Sequence, residues 1–482
     1  MDIFTLTIGG EPVAASDGRT ESCLDPSTGA VFAAAPVASE ADCAAAVGAA
    51  AAAVPGWRDT PVTDRAQRLR TLARTLREQA DSLSTLESTD CGNPIRTSRN
   101  DIEYAAAGLE YFAGIGLELK GDTIPVTAGG WHLTRWEPYG VVLRITAFNH
   151  PLMFAASRIA APLLAGNSVV LKPAPQAPLS TLVLGRIAAE ILPPGVLNVL
   201  NGPGPTVGAR LAADPRVRRI GVTGSVGTGR AVLRTAAATM AQVSLELGGK
   251  NPMIVFPDAD PVAAADAAVE AMNFGWQGQS CGSTSRLLVH RSLVGAVTER
   301  VVERVRELRV GPALDPATGM GPLISRAHQR RVLGFLDEAV AAGARALTGG
   351  GRPDRPELAG GFYVEPTVFD AVRPELRIAT EEVFGPVLSI LGWDDEQQAL
   401  QQANATPYGL TACLWTNDLD RVLRLVPLLE AGYVWVNGRG QHWLGLPFGG
   451  YKDSGLGREE GIEELRSYSQ LKSVSLLPGA AR

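Results

Sequence analysis

Cysteine is scarce and scattered. The chain has five, Cys23, Cys43, Cys91, Cys281 and Cys413, an odd number with wide gaps and no C-x-x-C pair. This spacing argues against a disulfide framework and a zinc site, and points to a reducing, cytoplasmic setting. The five histidines are equally dispersed, so no metal cluster is expected. Long apolar runs are missing as well. The longest weakly polar stretch, Ala44–Val54, is too short to span a bilayer and reads as a buried helix. The opening MDIFTLTIGG has neither the basic nor the apolar region of a secretory signal. Charge of one sign is not in large excess. Lys and Arg number 44 against 50 Asp and Glu, a net −6, which argues against nucleic acid or an anionic membrane as partner. What remains is a globular chain of 482 residues, 45% hydrophobic and 20% charged, long enough for two or three domains.

The first part is helical. Ser39-x-x-Asp42 ahead of the alanine-rich run reads as a capping box. Leu69, Leu72, Leu76, Leu83 and Leu86 recur at helical spacing, with Gly92 as a stop. A further helix is expected over Asn100–Leu119, and Asp122–Pro138 reads as an extended arm. Apolar runs then appear at Val141–Ile145, Val169–Leu171, Val196–Leu200, Ile220–Val222 and Val243–Leu247. Helix-like segments such as Thr181–Ile191 and Gly229–Met240 lie between them. Such alternation predicts an α/β fold with a parallel sheet covered on both faces and a ligand at the strands' carboxyl ends. A second α/β section runs from Met253 to about Leu444, and the tail Ser467–Leu477 alternates as a strand does.

Several segments carry groups suited to chemistry. Two glycine-rich turns follow strands, Gly202-Pro-Gly204-x-x-x-Gly208 and Thr223-Gly224-Ser225-x-Gly227-x-Gly229. They read either as tight turns or as a cradle for a pyrophosphate at a helix N-terminus. Cys281, in Gly278-Gln-Ser-Cys281-Gly282, reads either as a small buried hydrophobe or as an accessible thiol. Glu246, before Leu-Gly248-Gly-Lys250-Asn-Pro, ends an apolar strand. It reads as a cleft-facing carboxylate, a surface charge, or a partner of Lys250.

Taken together, these segments resemble the aldehyde dehydrogenase superfamily. Glu246-Leu-Gly-Gly-Lys-Asn-Pro, Gly278-Gln-x-Cys281 and Glu381-Glu382-Val-Phe384-Gly-Pro-Val stand in the family's order. So do Pro447-Phe448-Gly-Gly-Tyr-Lys-x-Ser-Gly-x-Gly-Arg458-Glu, Ala147-Phe148-Asn149-His150-Pro151 and Val169-Val-Leu-Lys172-Pro. The likeness covers nearly the whole chain. It implies a Rossmann-type NAD(P)-binding domain (1–118 and 139–248), an α/β catalytic domain (249–449), and a small β element (119–138 and 462–482) that pairs subunits into a dimer or tetramer. It also implies Cys281 as nucleophile, Asn149 with the Cys281 backbone N–H as oxyanion site, and Glu246 as the base that activates water. Lys172, Gly224, Ser225, Glu382, Phe384, Phe148 and Gly248 would hold NAD or NADP, and no metal is implied. Met153, Phe154, Trp443 and Phe448 would line the pocket for the small-molecule aldehyde, with Ser157, Trp276, Arg439, His442 and Leu444 nearby.

Two departures matter. Pro175 stands where many NAD-using relatives carry a ribose-binding Glu, which keeps NADP open. His150 stands where an aromatic is common, either lining the substrate entrance or packing as a substitute ring. The apolar and aromatic walls suit a medium-sized apolar or aromatic aldehyde. Arg439 reads either as a group that meets a distant carboxylate or phenol of the substrate or, more simply, as the partner of a structural salt bridge. The competing readings are a coenzyme A-acylating dehydrogenase, which usually lacks the Glu246 carboxylate, and a non-catalytic relative, which would be expected to lose Cys281 or Glu246.

Overall fold

The computed structural model describes residues 2–127 and 129–477, so positions 478–482 of the expected tail lie outside the described residues. Helix formation at the start follows local chemistry. The Ser39 hydroxyl accepts from the Asp42 N–H while the Asp42 carboxylate accepts from the Ser39 N–H, closing the expected capping box on helix Glu40–Asp59. The leucine-spaced stretch divides into helices Val62–Glu78 and Ala80–Cys91 and stops at Gly92. The next helix, Ile95–Ile115, begins five residues before the sequence reading and ends four before it. Its entry follows Pro94, whose ring fixes the dihedral on the way into the first turn.

The expected parallel sheet is present. Its five parallel strands, in spatial order, are Gln242–Glu246, Val217–Thr223, Val141–Ile145, Ser168–Lys172 and Leu197–Val199. In chain order they begin at Val141–Ile145, run outward to Leu197–Val199, and then return to the opposite side of the first strand. The topological switch therefore lies between Val141–Ile145 and Val217–Thr223, and ligands bind at such crevices. Both edges carry strands that the sequence reading did not contain. Gly455–Leu456 pairs antiparallel with Gln242–Glu246, and Leu6–Ile8 and Glu11–Val13 extend the other side. Helix Pro151–Leu164 packs against this sheet with every residue buried except Met153.

A second, seven-stranded sheet follows the passage from Glu246 to Pro252. Its order is Arg345–Thr348, Thr367–Asp370, Val387–Trp393, Arg286–His290, Pro252–Val255, Thr411–Trp415 and Tyr433–Val436, all parallel except the first pair. Separate apolar clusters fill the space around the two sheets. The arm and tail pair with each other, Trp131–Pro138 running antiparallel to Ser469–Leu476 over eight residues. Among the described residues no helix is long and apolar enough to cross a membrane.

Candidate active site

The segment Glu246–Asn251 joins the two sheets and ends the strand Gln242–Glu246 with a carboxylate. The loop carrying Cys281 is held against this segment. The Asn251 side-chain amide donates to the Cys281 carbonyl at 2.7 Å and the Ser283 carbonyl at 2.9 Å, and its oxygen accepts the Thr411 N–H at 3.1 Å. The approach to Cys281 is contorted. Asn273, Gln277 and Gly278 all have positive φ, at 57°, 55° and 65°, a region L side chains rarely adopt. At Gly278 a Cβ would stand 2.2 Å from the Gly385 carbonyl, so glycine lets the Cys281 loop touch the Glu382–Gly385 loop.

Cys281 and Glu246 face one another across the cleft and perturb each other. Burial and the Glu246 carboxylate push the Cys281 thiol well above its ordinary range. Burial and the nearby Glu459 carboxylate raise Glu246 well above the usual carboxylate range, with Arg158 pulling the other way. One oxygen of Glu246 is buried without a hydrogen-bond partner. Both groups therefore hold their protons more tightly than they would in water, the mark of a site where charge is costly until a ligand or partner offsets it. Asn149 is buried, and its backbone carbonyl accepts from the Asn93 amide at 2.9 Å. Its own carboxamide makes no hydrogen bond to protein among the described residues, and the residue lines the crevice that reaches Cys281.

On one side of Cys281 and Glu246 opens a crevice of about 520 Å³ at the topological switch. Phe148, Lys172, Gly224, Ser225, Gly248, Glu382 and Phe384 all line it, with Pro175 and Gln176 at the adjoining wall. Ser225 caps helix Val226–Ala237 by accepting from the Thr228 N–H, and Gly224 ties the same turn to the Glu246 carbonyl at 3.0 Å. Lys172 ends its strand, donates to the Pro173 carbonyl at 3.0 Å, and is lowered to about 8 by burial. It has no carboxylate partner among the described residues. Gly248 is required by close approach, since a Cβ there would lie 2.1 Å from a Glu382 carboxylate oxygen. That carboxylate also accepts from the Gly249 N–H at 3.0 Å and is raised to about 7 by burial. The crevice thus has a free cation, a helix N-terminus, a carboxylate and apolar rings, the groups a dinucleotide needs. No group of three or more His, Cys, Asp or Glu among the described residues is placed to hold a metal.

The opposite side opens into a chamber of about 440 Å³. Met153, the unburied residue of its helix, and Phe154 and Phe448 line it with Trp276, His150 and His442. Trp443 does not, being 64% exposed. Glu460 holds the His442 ring at 3.1 Å, so the inward place in that loop belongs to His442. Arg439 stands at the chamber edge in the expected salt bridge, 2.9 Å from Glu270. His150 does both things envisaged for it, packing against Phe154 and Trp276 while facing the chamber. Among the described residues, only Phe154, Glu246 and Cys281 line both cavities.

Several contributors carry no role in the sequence reading. Asn251 lies inside a quoted motif, and only the contacts reveal its task. Arg331 donates to the Glu382 carbonyl at 2.8 Å, and the His328 ring N–H to the Phe384 carbonyl at 2.6 Å, fixing the crevice loop. Behind Glu246, Arg158 meets Glu459 and Glu460 at 2.9 Å each, and Arg144 meets Glu459 at 3.0 Å. Burial would raise the Glu460 carboxyl, but His442 and Arg158 outweigh it and hold it down at about 2.

Comparison with known proteins agrees with this geometry. Residues 13–474 match the aldehyde dehydrogenase family. The aldehyde dehydrogenase tropH of Talaromyces stipitatus is 46% identical over 473 residues, covering 97% of this chain and 92% of that protein. The structure of PnpE in complex with nicotinamide adenine dinucleotide superposes with a TM-score of 0.97 at 39% identity, covering 99% of this chain and 98% of the other. An NAD+ complex of the aldehyde dehydrogenase from Bacillus cereus gives 0.96 at 35% identity, covering 99% and 97%. With the family matched over nearly its whole length and the motif residues gathered around one thiol, the chain belongs to the aldehyde dehydrogenase family.

Proposed function

We propose that this protein oxidises an aldehyde to its free carboxylic acid with NAD or NADP. The observation that carries the reading is that Cys281 and Glu246, with Phe154, line both of two otherwise distinct cavities. One cavity suits a dinucleotide and the other a small organic substrate.

The Cys281 sulfur, once it has lost its proton, attacks the carbonyl carbon, and the carbonyl oxygen takes the charge. The Asn149 carboxamide and the Cys281 backbone N–H donate to that oxygen. Lys172, the turn Gly224–Ser225, Glu382, Gly248 and the rings of Phe148 and Phe384 would hold the dinucleotide, which when bound would supply the hydride acceptor. Loss of hydride from the carbon leaves a thioester on Cys281. Glu246 then takes a proton from water, which attacks the thioester carbon and releases the acid and the thiolate. Water needs this base far more than a low-pKa thiol would, so the carboxylate beside Cys281 favours hydrolysis over transfer to coenzyme A.

Proline at position 175 offers no carboxylate to grip the ribose hydroxyls or repel a 2′-phosphate, so NADP is accepted alongside NAD. The chamber walls suit a medium-sized aromatic aldehyde. The paired strands Trp131–Pro138 and Ser469–Leu476 leave Trp131, Leu471 and Leu476 exposed, which supports burial between subunits of a cytoplasmic dimer or tetramer. Domain limits at 118/119, 138/139 and 248/249 follow the two sheets and the arm.

The test is the rise of reduced-nucleotide absorbance with a panel of aldehydes, each nucleotide in turn, and product analysis with and without coenzyme A. Free acid formed without coenzyme A is the expected result. Signal that depends on coenzyme A, with acyl-coenzyme A as product, would replace the hydrolytic reading by the acylating one.

A further inference from the structure

The substrate chamber takes most of its apolar wall from Met153, Phe154, Trp276 and Phe448, and among the polar groups that also line it are two imidazoles, His150 and His442. They come from different elements and are braced in the same way. His150 places Nδ1 at 3.0 Å from an Asp101 carboxylate oxygen, and the Trp276 indole N–H donates to that same oxygen at 3.1 Å. His442 places Nδ1 at 3.1 Å from Glu460, whose other oxygen is engaged by Arg158 at 2.9 Å. An oxygen that serves as acceptor fixes the hydrogen on each Nδ1. The opposite nitrogen, Nε2, is left open toward the chamber and can accept a hydrogen bond whenever the ring is neutral. Neither Nε2 has a hydrogen-bond partner in the protein among the described residues.

Both rings are also immobilised. His150 lies against Phe154 and Trp276 with centroids 5.3 and 5.1 Å away. His442 packs on Phe448 at 4.3 Å. The His442 Nε2 lies 3.9 Å from where a Cβ on Gly282 would stand, one residue beyond the nucleophile. A fixed acceptor without a protein partner is well matched by a ligand that brings a donor. Such a site discriminates against the analogue lacking that donor far more strongly than an apolar pocket discriminates by size.

We infer that His150 and His442 read a hydroxyl on the substrate, so that the chamber selects hydroxylated aromatic aldehydes over their unsubstituted and O-methylated counterparts. This rests on the aldehyde-oxidising reading above and specifies its substrate class. The two histidines are specificity-determining groups. They accept from the ring hydroxyl, while the aromatic walls hold the ring with its aldehyde toward Cys281.

The experiment measures kcat/KM for benzaldehyde, the three hydroxybenzaldehydes and the matching methoxybenzaldehydes. It uses wild-type protein, His150→Phe and His442→Phe. At least one hydroxy isomer should exceed both benzaldehyde and its methoxy counterpart by about tenfold or more. That ratio should fall toward one in at least one variant. Because turnover could fail for other reasons, a second measurement needs none. Hydroxybenzyl alcohol should protect wild-type Cys281 from iodoacetamide at lower concentration than benzyl alcohol does. Equal protection by the two alcohols, absence of any hydroxyl preference in the wild type, or a preference retained in both variants would overturn the inference. Whether benzaldehyde yields benzoic acid without coenzyme A reports separately on the hydrolytic reading.

Discussion

Replacing Asn251 with alanine tests whether the loop carrying Cys281, the proposed nucleophile, is clamped from the segment between the sheets. The side chain is buried and makes three hydrogen bonds, to the carbonyls of Cys281 and Ser283 and from the N–H of Thr411. At a net of about 1 kcal/mol each, their loss removes about 3 kcal/mol, more if the stranded groups find no water. Part of that appears as instability and part as freedom of the Cys281 loop. A displacement of the sulfur by about 1 Å lowers turnover about 100-fold. The assays are the thermal unfolding midpoint, kcat at saturating aldehyde, and the rate of Cys281 alkylation. Asn251→Asp serves as the control that keeps shape but turns a donor into an acceptor facing two carbonyls, and it should be at least as damaging above the carboxylate range. Wild-type turnover and an unchanged midpoint in Asn251→Ala would refute the clamp.

Glu246→Gln should leave a burst of reduced nucleotide, followed by steady turnover slower by about 100-fold or more, with an acyl adduct on Cys281 visible by mass spectrometry. Because Glu246 is raised, it keeps its proton at pH values where an ordinary carboxylate has lost it. The acidic limb of the wild-type rate profile should therefore lie well above pH 4.5, and a limb at the ordinary carboxylate position would contradict this. Pro175→Glu should reduce NADP use relative to NAD by about tenfold or more, by placing like charges together, read from the two kcat/KM values. Glu87 is raised to about 8 by burial from 4.5. The folded chain therefore holds a proton that the unfolded chain releases as pH passes 4.5, and stability contributed below that point is lost as pH rises toward 8. Glu87→Gln should flatten the fall of the thermal midpoint across that window, and an unaltered slope would speak against it.

Much of the scaffold was readable because its signals are local. The capping box at Ser39 and Asp42 needs only four residues of sequence, and the strand Val141–Ile145 is an apolar run that coincides with the observed one. The strands Leu6–Ile8 and Glu11–Val13 were not legible, being three residues each and secured by a sheet edge formed elsewhere. The site shows the same division. Cys281 and Glu246 read ambiguously alone and clearly as members of ordered motifs. His442 was passed over in favour of its neighbour Trp443, because the choice is made by Glu460, 18 positions away. Asp101, 49 positions before His150, sits on a helix whose pattern announces only a buried face.

The narrow overlap between the two cavities has a consequence for traffic. With Phe154, Glu246 and Cys281 as their only common lining among the described residues, an acyl group formed on the sulfur by the proposed reaction would stand on the chamber side of that boundary. The nucleotide would then be able to exchange on its own side before the acid departs, and the order in which the two products leave would follow from their separate affinities rather than from a shared doorway.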